Sequence, residues 1–299
     1  MKKILVIYHR ADFDGLFCRE IARKFLGDMA EYVGWNHGDA KVAFPTKGTV
    51  YILDLSPECL GGDTYDSSRI IWIDHHKSSI EKWPATIPGL RIDGVAACRL
   101  AWQWFTLPVS RKLSPYPKED YVERRVVEPP AVRLAGEYDI WDKRDPRAEL
   151  FQHGLRSCDL TNWWPSLLDD TLTSEQPILQ LLSRGEAIQY SSTQLNASII
   201  QAYGFTVQWE GLTFLACNHA RFNSHLFTAG IQPHHDALLG FNFDGQKGVW
   251  RFSLYHAPGH EQHDLSAIAV KHGGGGHRGA CGFQCGSIPF GFANMGFKV

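Results

Sequence analysis

Apolar residues run unbroken in three short stretches of the first eighty positions: ILVIY (residues 4–8), VYILDL (50–55) and RIIWIDHH (69–76). Unbroken runs of this length predict strands buried on both faces, as in a parallel sheet covered by helices. LFCREIARKFLG (16–27) instead spaces its apolar positions at helical intervals and closes on Gly27, so the chain opens as strand, loop, helix. GVAACRLAWQWF (94–105) predicts a covering helix, and AVRLAGEYDIWD (131–142) a helix or strand that delivers acids at its end. The stretch 111–130 holds four of the 15 prolines among many charges and reads as a surface excursion inside a first domain.

Further along, 174–202 has the pattern of a long connecting helix, FTVQWEGLTFLACN (205–218) that of a hairpin, and ALLGFNFDGQKGVWRFSLYH (237–256) that of two strands around a glycine turn. The expected fold class is α/β in two domains: a parallel-sheet domain over 1–173, a connecting helix or linker over 174–202, and a smaller α/β domain over 203–299. A chain of 299 residues is longer than most single cores grow, which agrees with two.

Charge narrows the partners. Thirty Lys and Arg against 32 Asp and Glu leave a net charge of -2, with no basic excess to grip a long duplex. The N-terminal apolar run is too short for a secretory or membrane segment, so cytoplasmic placement without membrane association is expected. Seven cysteines without a C-x-x-C pair fit reduced, buried thiols better than a disulfide framework or a metal site at Cys281 and Cys285.

The chemistry gathers where the strands end. His9, Asp12 and Asp14 follow the first strand, Asp54 the second, Asp74, His75 and His76 the third, and Asp139 or Asp142 the 131–142 element. Parallel strands present their carboxyl ends to one crevice. Carboxylates crowded there raise one another's pKa unless a cation neutralises them. Mixed carboxylate and imidazole donors suit Mn, Fe, Co or Zn better than a pure Mg site, and two such ions about 4 Å apart serve phosphoester hydrolysis through a shared hydroxide. Singly, each cluster also reads as helix capping or strand-end turn chemistry; their recurrence at successive strand ends favours a site.

Late in the chain, IAVKHGGGGHRGACGF (268–283) sets Gly273, Gly274, Gly275 and Gly276 before His277 and Arg278. Such a run exposes backbone N–H groups to an anion, or else forms a flexible loop. It is not a P-loop, lacking the Lys followed by Ser or Thr. Asn218, His219, Arg221 and Asn223 are further polar candidates after a strand, whereas His256, His260 and His263 match no compact zinc spacing.

HRADFDG, YILDLS, WIDHH, GEYD and GGGGHRGACGF, in this order, resemble the DHH phosphoesterases that carry a DHH-associated C-terminal domain, over nearly the whole chain. The resemblance implies catalytic groups facing a cleft between two domains and two divalent ions, Mn foremost with Fe, Co or Mg as alternatives. It places His9 and Asp12 on one ion, Asp14 and His75 with the other, and Asp54 and Asp139 holding or bridging the pair. It gives Asp74 the support of an imidazole, puts His76 near the scissile phosphate, and assigns substrate contacts to Gly274, Gly275, Gly276, His277 and Arg278, with Arg221 in addition. Tyr255 stands where some oligoribonuclease-like relatives carry Arg, which implies weaker dependence on a terminal phosphate or a base stacked on the phenol. The implied activity is an Mn-dependent phosphodiesterase acting on short oligonucleotides, linear dinucleotides or cyclic dinucleotides, with a homodimer as the family-level assembly. Hydrolysis of phosphoanhydrides or nucleoside bisphosphates, and turnover-free sensing of a phosphometabolite, are the alternatives.

Overall fold

A computed structural model describes residues 4–62, 66–108, 116–169, 175–220 and 222–291. The chain divides into two compact units, Met1–Ile188 and Gln189–Val299. The division falls inside the long helix Glu175–Tyr203. Among the described residues no helix is long and apolar enough to cross a membrane.

In the first unit β1 (Ile4–His9), β2 (Ala30–Trp35), β4 (Thr49–Leu53), β6 (Ile70–Asp74) and β7 (Gly89–Arg91) form one sheet in the order β2-β1-β4-β6-β7. Every pairing in it is parallel. β3 (Val42–Ala43) and β5 (Leu60–Gly61) make a separate short pair. The apolar runs bury both faces, as the pattern predicts. Val6, Leu53 and Ile73 face one core with Phe17 and Ile21 of α1 (Phe13–Leu26) and Leu100 of α3 (Ala97–Thr106). Ile7, Ile52 and Trp72 face another with Trp35, Leu55 and Ile87. Each such side chain taken from water contributes about 1.5–3 kcal/mol, so register is fixed from both sides of the sheet.

β1 pairs with β2 on one side and β4 on the other, which makes the β1/β4 boundary the switch point of the sheet. Ligand crevices form outside the carboxyl ends of strands at such a point. Gly15 lets α1 start there: a Cβ on it would stand 1.9 Å from the His9 carbonyl oxygen.

The stretch 111–130 is more than a surface excursion. Residues 111–115 lie outside the described residues, but Tyr121 is fully buried in the main core and Val126 nearly so. Glu128 partners Arg99, a buried guanidinium of α3 that donates from Nε at 2.8 Å. Removing either partner would leave a charge without its counterpart away from water, which is why this charged segment folds back onto the domain.

The second unit is built on a mixed sheet ordered β12-β13-β11-β10-β9-β8. β8 (Gly204–Trp209) and β9 (Leu212–Asn218) form the expected hairpin, and positive φ at both Glu210 (50°) and Gly211 (78°) matches the twist of its two-residue turn. β10 (Ala237–Asp244) runs parallel to β9 and antiparallel to β11 (Val249–His256). Phe241, Phe252 and Phe283 stack across three strands in its core.

Part of the glycine run is a strand and not a free loop. Gly275–His277 is β12, an edge strand paired with β13 (Ala280–Cys285). Gly274 approaches that strand so closely that a Cβ would meet the Gly282 carbonyl at 2.1 Å.

Candidate metal centre

Three strand ends and one helix end supply the donors. His9 closes β1, and its Nδ1 stands 2.8 Å from Asp12 Oδ2 and 3.4 Å from Asp54 Oδ2. Asp12 is the N-cap of α1, its Oδ1 accepting the Gly15 N–H at 3.0 Å. The capping role and the cluster role thus belong to different oxygens of one carboxylate.

Asp14, one residue inside the helix, is buried and accepts the backbone N–H groups of Ala97 (2.8 Å) and Cys98 (2.7 Å) at the start of α3. A helix N-terminus is a natural place to hold a carboxylate. Asp54 follows β4 and extends the ladder by donating its N–H to Ile73 O at 2.9 Å. Its φ of 58° lies in the left-handed region, a conformation costing on the order of 1 kcal/mol outside glycine. The turn aims a buried carboxylate back toward His9 and His75.

His75 Nε2 is the hub. It lies 3.6 Å from Asp14 Oδ2, 3.5 Å from Asp54 Oδ1 and 3.3 Å from Asp139 Oδ2. Asp139 ends the helix Pro130–Asp139. Asp142 turns elsewhere, its Oδ1 accepting Arg144 Nε at 2.8 Å; between the two acids that the sequence leaves open, Asp139 is the one beside the imidazole.

Asp74 is fully buried and supports its neighbours. Its Oδ1 accepts the N–H groups of His75 (2.8 Å) and His76 (3.2 Å) and stands 2.7 Å from His76 Nδ1. The imidazole so held is that of His76, which leaves Nε2 of this half-exposed ring for other partners.

Electrostatics reflect the crowding. Pairing with Asp12, then with Asp54, raises His9 to about 10. Burial opposes charge on His75, but Asp54, Asp14 and Asp139 outweigh it and lift that ring to about 10 as well. Burial foremost, and Asp14 next, push Asp139 up to about 7. Asp14 is pushed up by its own burial and by Asp54. Burial also opposes charge on Asp12, yet His9 and the Gly15 N–H hold its carboxyl low. His76 is raised by its bond to Asp74.

Among the described residues the cationic partners of these carboxylates are imidazoles. Among the described residues no Lys or Arg ion-pairs with Asp12, Asp14, Asp54 or Asp139. Arg10, the cation nearest in sequence, is engaged by Asp39 at 3.0 Å.

A divalent cation fits this donor set. Three overlapping groups have their ligand atoms within 4.8 Å of one another: His9, Asp12 and Asp54; Asp54, His75 and His76; Asp14, His75 and Asp139. Asp54 Oδ1 is buried and accepts no hydrogen bond. The separations around His75 exceed the usual hydrogen-bond range, which leaves room between donors that face one another.

Two participants escape a reading by sequence. Asn36 Oδ1 sits 3.2 Å from His9 Nε2 and can fix the ring through its far nitrogen. The backbone of Ala97 and Cys98 carries no side-chain signal at all. Asn36 follows β2, whose mixed AEYVGW pattern carries no unbroken apolar run, so a strand-end reading passes over it.

In the second unit, His277 and Arg278 are exposed at the β12/β13 turn, and Arg278 Nη2 donates to Gln262 O at 2.5 Å. Tyr255 lies half-buried on β11, packed on the cluster of Ile199, Leu226 and Leu238. Arg221 lies outside the described residues.

No family model and no curated protein matches the chain. Solved structures do. The pGpG-specific phosphodiesterase PggH of Vibrio cholerae is similar at 19% identity, over 95% of this chain and 93% of that one, with a TM-score of 0.54. The DHH domain of a member of the s1p family of ribosomal proteins is similar at 13% identity, over 94% and 82%, with a TM-score of 0.50. At these identities the likeness is one of fold: a parallel-sheet unit followed by a smaller α/β unit.

Proposed function

We propose that the protein is a metal-dependent phosphodiesterase whose substrates are short or cyclic nucleotides. The observation that carries this reading is the sharing of donors: Asp54 belongs to two of the three groups and His75 to two, so the groups form one chain of ligands suited to a pair of ions. His9 and Asp12 would hold one ion, Asp14, His75 and Asp139 the other, with Asp54 common to both. Bound there, divalent ions of the manganese type supply Lewis acidity toward a phosphoryl oxygen and acidify water.

The chain's own residues do the rest. Asp74 fixes the His76 ring through Nδ1 and favours its protonated form, so that Nε2 can donate to an oxygen on which charge develops. The α3 N-terminus holds the Asp14 carboxylate in place through two backbone N–H groups. Exposed His277 and Arg278 in the second unit are groups for a substrate phosphate or nucleotide end. The near-neutral net charge favours small ligands over long strands. Support for nucleotides in particular comes from PggH, the fold relative specific for pGpG.

The test is a product analysis of metal-stripped protein, with and without Mn2+, against a 5'-phosphorylated dinucleotide, cyclic dinucleotides, a five-nucleotide RNA, a nucleoside bisphosphate and pyrophosphate. Mn2+-dependent cleavage of a phosphodiester is expected, reduced at least about a thousandfold in Asp54→Asn. Cleavage confined to pyrophosphate, or full activity in folded Asp54→Asn, would overturn the reading.

A further inference from the structure

The second unit contains another set of converging donors. Asp236 immediately precedes β10, while His260 and His263 sit in the loop between β11 and the helix Leu265–Lys271. Folding brings His260 Nδ1 to 3.5 Å and His263 Nε2 to 3.8 Å from the same oxygen, Asp236 Oδ1. We propose that Asp236, His260 and His263 form a mononuclear site for a zinc-class divalent cation, sharing no ligand with the centre of the first unit.

The spacing favours a cation over direct bonding. Both separations exceed the hydrogen-bond range of about 2.7–3.2 Å, and His260 Nδ1 is buried with no hydrogen-bond partner. Donors about 2.0–2.1 Å from a tetrahedral zinc stand about 3.3 Å apart. The observed 3.5 and 3.8 Å need only a small inward movement to match.

The surrounding bonds hold the donors in place. Asp236 Oδ2 accepts the Thr213 N–H at 2.8 Å, which directs Oδ1 at the two rings. His263 is fixed through its carbonyl, which accepts from His256 Nε2 at 2.8 Å and from Arg278 Nε at 3.4 Å. Such support of a ligating group is typical of metal sites. Among the described residues the exposed Gln262 amide, 3.3 Å from His263 Nε2, is the group that has to rotate away.

One carboxylate with two imidazoles matches zinc, cobalt or nickel, and is too poor in oxygen for calcium or magnesium. Three protein ligands leave a fourth position open to water. The bound ion would brace the 257–264 loop, whose Gln262 and His263 carbonyls also receive Arg278, against the start of β10.

The experiment uses the full chain carrying Asp54→Asn and His75→Gln, which depletes the first centre. The protein is loaded with Zn2+ or Co2+, dialysed, and assayed for metal content and for cobalt visible absorption. One retained equivalent is expected, with the absorption of a four- or five-coordinate nitrogen and oxygen site. Adding His260→Asn and His263→Asn should abolish both signals, and Asp236→Asn should weaken binding at least about tenfold. Where the double substitution disturbs folding by circular dichroism, His263→Asn alone decides, since this side chain lies in a loop. Retention unchanged by the histidine substitutions, or no metal retained by folded protein, would overturn the proposal. None of these readouts depends on catalysis, so they stand or fall apart from the phosphodiesterase reading.

Discussion

The two donor clusters differ most in charge. In the first unit Asp12, Asp14, Asp54 and Asp139 crowd around His9 and His75 where buried strands end, and among the described residues no Lys or Arg ion-pairs with them. In the second, one carboxylate faces two imidazoles on a partly exposed loop. The first arrangement opposes folding unless cations are supplied; the second holds a single carboxylate and so lacks that mutual repulsion. The backbone shows the same contrast. Asp54 adopts a left-handed conformation and Asp14 takes two helix N–H groups, whereas Asp236 rests on one ordinary strand N–H. Strain and buried charge are thus concentrated where two ions and a reacting phosphate are proposed, and are absent where a single bracing ion is enough.

The largest effect expected from this contrast is on stability against pH. In metal-free protein, Asp139 rises from 3.8 to about 7 and the rings of His9 and His75 from 6.5 to about 10. A group raised on folding stabilises below its unfolded pKa and loses that contribution as pH climbs through the folded value. Melting temperature should therefore fall in two stages, from about pH 4 to 7 with Asp139 and from about pH 6.5 to 10 with the imidazoles. Asp12, held low, acts in the opposite sense at the acid end. Added Mn2+ should restore several degrees at pH 9 and little at pH 5, because ligands must shed protons to bind it. Scanning calorimetry across this range with Asp236→Asn should give the same slope. A flat profile in the parent, or a slope lost in that variant, would break the comparison.

Next in size is Asp74→Asn. The amide oxygen can still accept the His75 and His76 N–H groups, but it no longer favours a protonated His76. Turnover should drop about 10- to 100-fold. The alkaline limb of the pH–rate profile should move to lower pH, with melting little changed. Loss of rate without that movement would reduce Asp74 to a packing role.

The smallest effect is expected for Asn36→Ala, which frees His9 Nε2 while leaving its contacts with Asp12 and Asp54. A few-fold loss of apparent Mn2+ affinity by titration is the predicted outcome. An unchanged affinity would show that the two carboxylates alone orient the ring.

Three strands of the first sheet, β1, β4 and β6, were legible in the apolar pattern, since an unbroken apolar run must be buried on both faces, and with them the ends at which His9, Asp54, Asp74 and His75 emerge. The pattern of 205–218 also announced the β8–β9 hairpin. Tertiary structure alone decided the rest. Pattern alone leaves Asp139 and Asp142 open and the resemblance favours Asp139; their difference in surroundings appears only when the helix Pro130–Asp139 ends beside His75 and Arg144 takes Asp142. The glycine run reads in sequence as an anion-facing segment or a flexible loop, and only pairing with β13 makes Gly275–His277 an edge strand. His260 and His263 match no zinc spacing because their third partner, Asp236, is remote in the chain and reaches them across the strand pair β10 and β11. Local pattern fixes what each segment buries, whereas a site made of groups from separate segments exists only once burial has brought those segments together.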